Sequence, residues 1–521
     1  MIYRSPYPDV AIPEIAYSDY ILADVDRWAD QPALIDGPSG RSLSFAQVRG
    51  GARKVAASLA ARGFAKGDRF AIFCPNLPEY AIAFHGAALA GGVVTTASPL
   101  LTADELAAQL NDTGARFLLT VPPFIEVARQ AAARAKVEEL FVLGQADGAT
   151  PLGALLATDA APPAVAIDPR EDLLVLPYSS GTSGRPKGVM LTHYNAVAAL
   201  AQLDQWPDPK AGERVIAVLP FFHIYGLQLL NAALRRGACS VTMPRFDLEQ
   251  YLRLIEQHRV EALYTVPPMV LALARHPLVD SFDLSCVRKV GCGAAPLDAA
   301  LQTAAEARLK ARVGQGLGMT EVGLAIAAQP PDAADWRAGD CGLLLPNMQA
   351  RIVDVDSGAD LGPNQPGELL VRGPGVMRGY LNNPEATRAT IDADGWLHSG
   401  DIALFDDDGR LHVVDRLKEL IKYKAYQVAP AALEGVLLQH PAVADAAVIG
   451  VPDAAAGEIP KAYVVPRGSA SAEEIMAFVA TKVAPYERVR ALEFIDAIPK
   501  APSGKILRRV LRERAAGQAA A

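Results

Sequence analysis

Ser179 to Met190 reads SSGTSGRPKGVM, directly after the apolar run Leu173–Leu176 and ahead of a predicted helix that begins near Thr192. A buried strand is therefore expected to end in a loop with four hydroxyls (Ser179, Ser180, Thr182, Ser183), two glycines (Gly181, Gly184) and the cation Lys187. Glycine lets backbone N–H groups close on an anion and hydroxyls add donors, so the stretch suits a phosphate-binding loop. It lacks the Gly-Lys-Ser/Thr ending of a Walker loop, whose geometry is not implied. The same composition also suits a plain surface turn, although Pro186 between Arg185 and Lys187 favours a shaped loop.

On either side of this loop the chain repeats a strand–helix–strand rhythm. Arg69–Cys74 (RFAIFC), a helix over Glu79–Ala90 and Val93–Thr96 form one such unit, preceded by a helix from Ser44 to Gly63. Further strands are expected over 117–121, 140–144, 215–219, 238–243, 262–266 and 287–291, with a helix over 249–258. The rhythm predicts two α/β layers with parallel sheets before residue 300. After Gln329, Pro and Gly become dense, and the alternating runs 349–355 and 368–372 predict antiparallel strands in a small β-barrel. A mixed α+β segment follows from about Lys418. The expected organisation is an α/β N-terminal domain of two subdomains plus the barrel over 1–417, and a smaller α+β domain over 418–521. The Ala/Pro-rich stretch 149–166 is expected to be a surface connection.

A chain of 521 residues, 51% of them hydrophobic, exceeds one core and implies several. The net charge of -8 speaks against a nucleic-acid partner, which needs clustered Lys and Arg. No run of about 18 apolar residues occurs, so no membrane span is expected. The N-terminal MIYRSPYPDV lacks the basic start and apolar core of a signal peptide, which makes the cytoplasm the expected compartment. Five scattered cysteines without a Cys-x-x-Cys pair indicate neither a disulfide framework nor a zinc site.

Other stretches carry chemistry downstream. LPFFHIYG (Leu219–Gly226) sets His223 among aromatics, where a lone histidine is commonly a satisfied core residue. CGAAP (Cys292–Pro296) and GQGLGMTE (Gly314–Glu321) are small-residue turns against which a flat ligand can lie. GWLHSGD ends at Asp401, DRLKELIK runs from Asp415 to Lys422, and PKAPSGKILRR carries Lys505.

Taken in this order, with SSGTSGRPKG first, these stretches resemble the motifs of the acyl-adenylate-forming (AMP-binding) superfamily, from about Ser44 to Arg514. The branch they resemble is that of 4-coumarate–CoA ligase-like acyl-CoA synthetases. The resemblance implies ATP, Mg²⁺ and CoA as cofactors and a small carboxylic acid as substrate, with a monomer and a homodimer both open. Lys505, Glu321, Thr182 and His223 would be catalytic, with Thr182 and Glu321 on the metal. ATP or AMP would meet Ser179, Ser180, Gly181, Thr182, Ser183, Gly184 and Lys187 of the loop. It would also meet Gly293, Ala294 and Ala295, Gln315 to Thr320 (Gln315, Gly316, Leu317, Gly318, Met319, Thr320), Asp401, Arg416, Lys422, Gln427 and Lys505. The acyl pocket would comprise Phe222, His223, Tyr225, Gly226, Gly293, Gly316, Val322, Leu324 and Ala325. CoA would meet Arg245, Lys424 and Ala425, and the mobile C-terminal domain would swing about the hinge Lys418.

The implied activity is ATP-dependent carboxylate–CoA ligation through an acyl-AMP, with a hydroxycinnamate-like acid favoured. A medium-chain fatty acid, transfer to a carrier protein, a luciferase-like oxygenase and a non-catalytic acyl-nucleotide binder are the alternatives. Three departures stand out. Leu317 replaces an aromatic ring expected to stack on adenine, Ala425 replaces a glycine beside the CoA path, and Leu324-Ala325 replaces a Pro-Val at the pocket end.

Overall fold

The computed structural model describes residues 1–179, 186–204, 206, 209–329, 336–424, 426–453, 455–501 and 504–519. Two large sheets carry the N-terminal part. In the first, the strands run in the order 379–380, 187–192, 173–179, 93–96, 69–72, 115–120, 139–142, 150–151. In the second the order is 343–344, 325–328, 312–318, 289–292, 262–265, 214–217, 239–242, 32–36, 42–44. The inner strands are parallel, and Val93–Thr96 is buried at every position, as a strand covered on both faces must be.

Helices form where the pattern predicts them because local signals agree with packing. Helix Phe45–Ala61 opens on a Ser44–Gln47 capping box, and Phe45, Val48, Val55 and Leu59 bury one stripe. It crosses helix Glu79–Leu89 closely at Gly86, where an added Cβ would fall 2.4 Å from Val55 Cγ1. Residues of both sheets and of the helices between them, including Leu34, Phe70, Phe84, Val197 and Leu227, share one core.

Several expectations are corrected. The helix expected near Thr192 does begin at His193, but a strand not foreseen precedes it. Lys187–Thr192 is a strand antiparallel to Leu173–Ser179, with Lys187 opposite Ser179, so the loop closes a hairpin. Val189 and Leu191 are buried in this strand, and Thr192 then caps helix His193–Ala201 through Asn195. Stretch 149–166 is not only a surface connection, because Leu152 and Leu155 are buried and Ser58 Oγ donates to Leu155 O (2.8 Å). The expected barrel is an antiparallel sheet of order 3–4, 349–353, 367–372, 397–405, 411–416, with no pairing between its two end strands among the described residues. Its first strand, Tyr3–Arg4, comes from the chain's start and is too short for any pattern to announce.

Beyond Lys418 a sheet of strands 421–423, 426–428, 443–453, 457–466 and 491–494 packs against helices Pro430–Leu438 and Ala472–Ala480. This part meets the rest where Arg275 Nη2 donates to Leu438 O (2.8 Å) and Gly435 closes on Asp298. No helix among the described residues is long and apolar enough to cross a membrane.

Candidate active site

A cavity of about 1690 Å³ opens at the carboxyl ends of the parallel strands. Loops leaving strands 93–96, 214–217, 262–265 and 289–292 line it, together with strand 312–318 and the Lys505 loop. Ligand clefts of open α/β sheets lie at this edge because strand ends converge while their connections diverge.

One wall is backbone held by side chains. Ala294 adopts φ +72° at the CGAAP turn, a left-handed conformation rare outside glycine. Gly293 next to it seats the Tyr225 ring, 3.2 Å from where a Cβ would be. The turn is tied down by Gln315, whose Oε1 accepts from Leu297 N (2.9 Å) while Nε2 donates to Leu297 O (3.0 Å) and to Gln302 Oε1 (3.1 Å). Gln315 therefore contributes its position in the wall, and its amide is already engaged. A Cβ on Gly318 would fall 1.9 Å from Leu324 O, so the strand can fold back over 325–328 only with glycine there. Leu317, Met319 and Thr320 complete this wall, which presents apolar area in place of an aromatic ring.

The charged groups gather at the centre. Arg416 Nε pairs with Asp401 Oδ1 at 2.6 Å, the two residues being cross-strand neighbours. Asp401 is 2% exposed, and its Oδ2 has no partner among the described residues. Burial raises the Asp401 carboxyl above the usual range, while Arg416 and Lys505 pull it back. Lys505 feels Arg416, Asp401 and Glu321 in turn, and burial, reinforced by Arg416, holds its ammonium below the usual lysine range. Its loop is docked by Gly504 (φ +81°), where a Cβ would meet Val266 Cγ2 at 2.9 Å.

Glu321 Oε1 accepts from Tyr380 Oη (2.8 Å), and Lys187 Nζ lies 4.1 Å from the centre of the Tyr380 ring. His223 caps helix Ile224–Arg236, its Nδ1 accepting from Tyr225 N (3.3 Å), which leaves the ring proton on Nε2. Burial and then Lys505 bring its pKa down to about 4, so the ring is neutral at pH 7. Cys292 lines the cavity with its thiol pushed up to about 12 by burial, the opposite of an activated nucleophile.

Of the residues singled out in the sequence, the cavity brings together Ser179, Lys187, Phe222, His223, Tyr225, Gly293, Ala294, Ala295, Gln315 to Glu321, Leu324, Ala325, Asp401, Arg416, Lys418 and Lys505. Gly226 and Val322, expected in the acyl pocket, do not line it. Gly226 closes on the carbonyls of Leu219 and Pro220, where a Cβ would come within 2.3–2.5 Å, and Val322 is buried in the core under the antiparallel sheet. Lys422, Lys424, Gln427 and Arg245 are exposed and stand apart from the lining. Ser180, Gly181, Thr182, Ser183, Gly184 and Ala425 lie outside the described residues.

Tyr380 was not singled out, since it lies in a two-residue strand opposite Val189 with no motif around it. The buried polar set beneath Gln315 was missed too. Gln329 Oε1 accepts from Gln315 N (2.8 Å), and its Nε2 donates to Asp340 Oδ1 (3.0 Å), which Arg410 also engages. Among the described residues no group of three or more His, Cys, Asp or Glu could hold a metal by itself. A hard cation carried on a polyphosphate asks less, one or two carboxylates, and Glu321 fits that need.

Residues 22–381 match the AMP-binding enzyme family, and residues 432–505 match the AMP-binding enzyme C-terminal domain. The chain is similar to 4-coumarate–CoA ligase 5 of Oryza sativa subsp. japonica, 45% identical and covering 99% of this chain and 97% of that protein. It is 42% identical to 4-coumarate–CoA ligase of Pinus taeda, covering 99% and 98%. The anthranilate CoA ligase AuaEII, solved in complex with anthranoyl-AMP, superposes with a TM-score of 0.89 at 26% identity, covering 98% of each chain. ATP-bound MatB from Rhodopseudomonas palustris gives 0.86 at 28%, covering 96% of this chain and 99% of that one.

Proposed function

The chain belongs to the AMP-binding enzyme family, and from that premise we propose that it joins a hydrophobic monocarboxylic acid to CoA with ATP, through an acyl-AMP. The observation that carries this reading is the meeting of Lys505, His223, Glu321 and the Asp401–Arg416 pair on one cavity. The acid's carboxylate oxygen attacks the α-phosphorus of ATP and pyrophosphate leaves. The CoA sulfur then attacks the acyl carbon and AMP leaves.

Lys505 supplies positive charge where it develops between carboxylate and α-phosphate. Asp401 Oδ2, buried and without a partner among the described residues, is suited to accept from a ribose hydroxyl while Arg416 holds the other oxygen. Lys187 and the residues after Ser179 would bind the phosphates, and Glu321, with Thr182, would hold Mg²⁺, which when bound offsets the charge of the triphosphate. Neutral His223 stands at the mouth of the acyl chamber without competing for the carboxylate. For the second step the C-terminal domain, 418–521, turns about Lys418, withdrawing Lys505 and bringing Lys424 and Ala425 toward the cavity, with Arg245 on the CoA phosphates.

The 4-coumarate–CoA ligases to which the chain is 41–45% identical favour a hydroxycinnamate-like acid. Phe222 and Tyr225 suit a flat ring, and Arg236, on the helix that follows His223, is already engaged by Asp204 (3.1 Å), which disfavours a second, buried substrate carboxylate beside it. The apolar Leu324 and Ala325 at the cavity wall favour a medium-chain fatty acid as the second reading. Pyrophosphate release measured with CoA over acetate, octanoate, palmitate, benzoate, cinnamate, 4-coumarate and succinate tests the choice. The expected order puts 4-coumarate and cinnamate first and octanoate next. Preference for acetate or succinate defeats the hydrophobic reading, and octanoate well above 4-coumarate promotes the fatty acid.

A further inference from the structure

Tyr380 stands between two of the charged groups that the cavity gathers. The strand Gly379–Tyr380 runs antiparallel to Lys187–Thr192, with Tyr380 opposite Val189. Residues two apart on a strand share a face, so Lys187 is the diagonal neighbour of Tyr380, and its Nζ lies 4.1 Å from the centre of the Tyr380 ring. Backbone bonds hold this register, Leu381 N donating to Gly188 O (2.8 Å) and Arg378 N to Met190 O (3.0 Å). On the other side Met377 N donates to Glu321 O (2.8 Å), and Tyr380 Oη donates to Glu321 Oε1 (2.8 Å).

The tyrosine is itself held from behind. Tyr380 N donates to Thr387 Oγ1 (2.9 Å), and at Gly379 an added Cβ would fall 2.8 Å from Thr387 Cγ2, so helix Pro384–Thr390 packs directly against the strand. Tyr380 is 5% exposed and lines the cavity. The face of its ring attracts an ammonium, and a carboxylate oxygen that accepts from a fixed hydroxyl loses its freedom to turn. With Oε1 so engaged, Oε2 of Glu321 is left for a cation. One side chain thus fixes both an acid suited to a hard cation and an amine suited to phosphate.

We infer that Tyr380 is a positioning residue, which orients Glu321 through its hydroxyl and holds Lys187 through its ring for the metal-bearing end of ATP. The inference rests on the adenylating reading above and adds to it what sets the groups at the phosphate end. AMP lacks that end, so the role separates the two nucleotides. A general loosening of the fold would not.

The test measures nucleotide affinity by calorimetry, without acid or CoA so that nothing turns over, in the full-length enzyme and in Tyr380→Phe and Tyr380→Leu. Tyr380→Phe should weaken Mg·ATP roughly three- to tenfold, the range of one hydrogen bond, and leave AMP, and ATP in excess EDTA, unchanged. Tyr380→Leu, which removes the ring as well, should also weaken ATP in EDTA about two- to fivefold, the range of an ammonium on a ring, again sparing AMP. Equal weakening of Mg·ATP and AMP by Tyr380→Phe, or no change in either, overturns the inference, and so does a parent enzyme that binds ATP alike with and without Mg²⁺. A parent enzyme that binds neither nucleotide is a different result, and it removes the adenylating reading together with this inference.

Discussion

Lys505 stands beside Arg416, with the carboxylates of Asp401 and Glu321 offsetting its charge. In the proposed mechanism that ammonium serves once a triphosphate and a carboxylate arrive, and not in the thioester step. Lys505→Ala should therefore lower acyl-AMP formation by about 10²–10³, the usual range for one charge-stabilising group, yet still convert supplied acyl-AMP to the thioester. Equal loss of both half-reactions would falsify the division. The buried histidines make a second test. Burial brings His85, His193 and His223 down to about 4, whereas the unfolded chain protonates them near 6.5. Between those values the unfolded state binds more protons, so this stability is fully present above about pH 6.5 and is lost as pH falls toward 4. Each histidine adds at most about 1.4 kcal/mol per pH unit. His85, held by Ser18 Oγ and Asn231 Oδ1, is the one to isolate. His85→Gln should flatten the dependence of unfolding free energy on pH between 6.5 and 4, and an unchanged slope would remove the assignment.

At the scale of elements, the loop of Lys505 is held by shape. Gly504 combines a left-handed φ with contact on Val266 and Pro268, so Gly504→Ala adds strain and a clash in the docked arrangement alone. Adenylation should fall at least about tenfold, equivalent to roughly 1.4 kcal/mol of docking, while thioester formation from supplied acyl-AMP persists. Loss of the folded C-terminal sheet, seen by circular dichroism, would show the glycine serves folding instead. The elements also show what was legible in advance. Parallel strands such as 93–96 and helices such as Phe45–Ala61 announce themselves because burial on one or both faces writes a period into the residues. Motif residues that act through backbone or charge, such as Ala294 and Asp401, could be named from their neighbours. Tyr380 and Gln329 could not, because each reaches the site from a separate strand and its partners are fixed only by three-dimensional packing. Gly226 shows the converse. Its place inside a motif suggested the pocket, but the small residue is needed for the close approach of the helix to the Leu219–Pro220 carbonyls.

For the whole molecule, the two parts meet at Arg275–Leu438 and Asp298–Gly435, and again where Ala431 N donates to Asp415 (2.8 Å) and Gly504 closes on Val266. Lys418 sits exposed between the Leu417 N–H bonded to Gly400 O (2.9 Å) and the Glu419 N–H bonded to Arg416 O (2.9 Å). Proline at 418 fixes one backbone angle and restricts the residue before it. Lys418→Pro should keep pyrophosphate release and lose CoA consumption, and unchanged thioester output would show that rotation happens elsewhere. The lone oxygen of Asp401 has a consequence at this scale too. Among the described residues it lacks a donor, and a sugar stripped of its 2′-hydroxyl brings one fewer. The enzyme should thus sort the nucleotide pool by sugar, with KM for dATP raised roughly three- to tenfold over ATP. A chain that uses both alike would be spending a deeply buried carboxylate on something other than telling the building blocks of DNA from the carriers of energy.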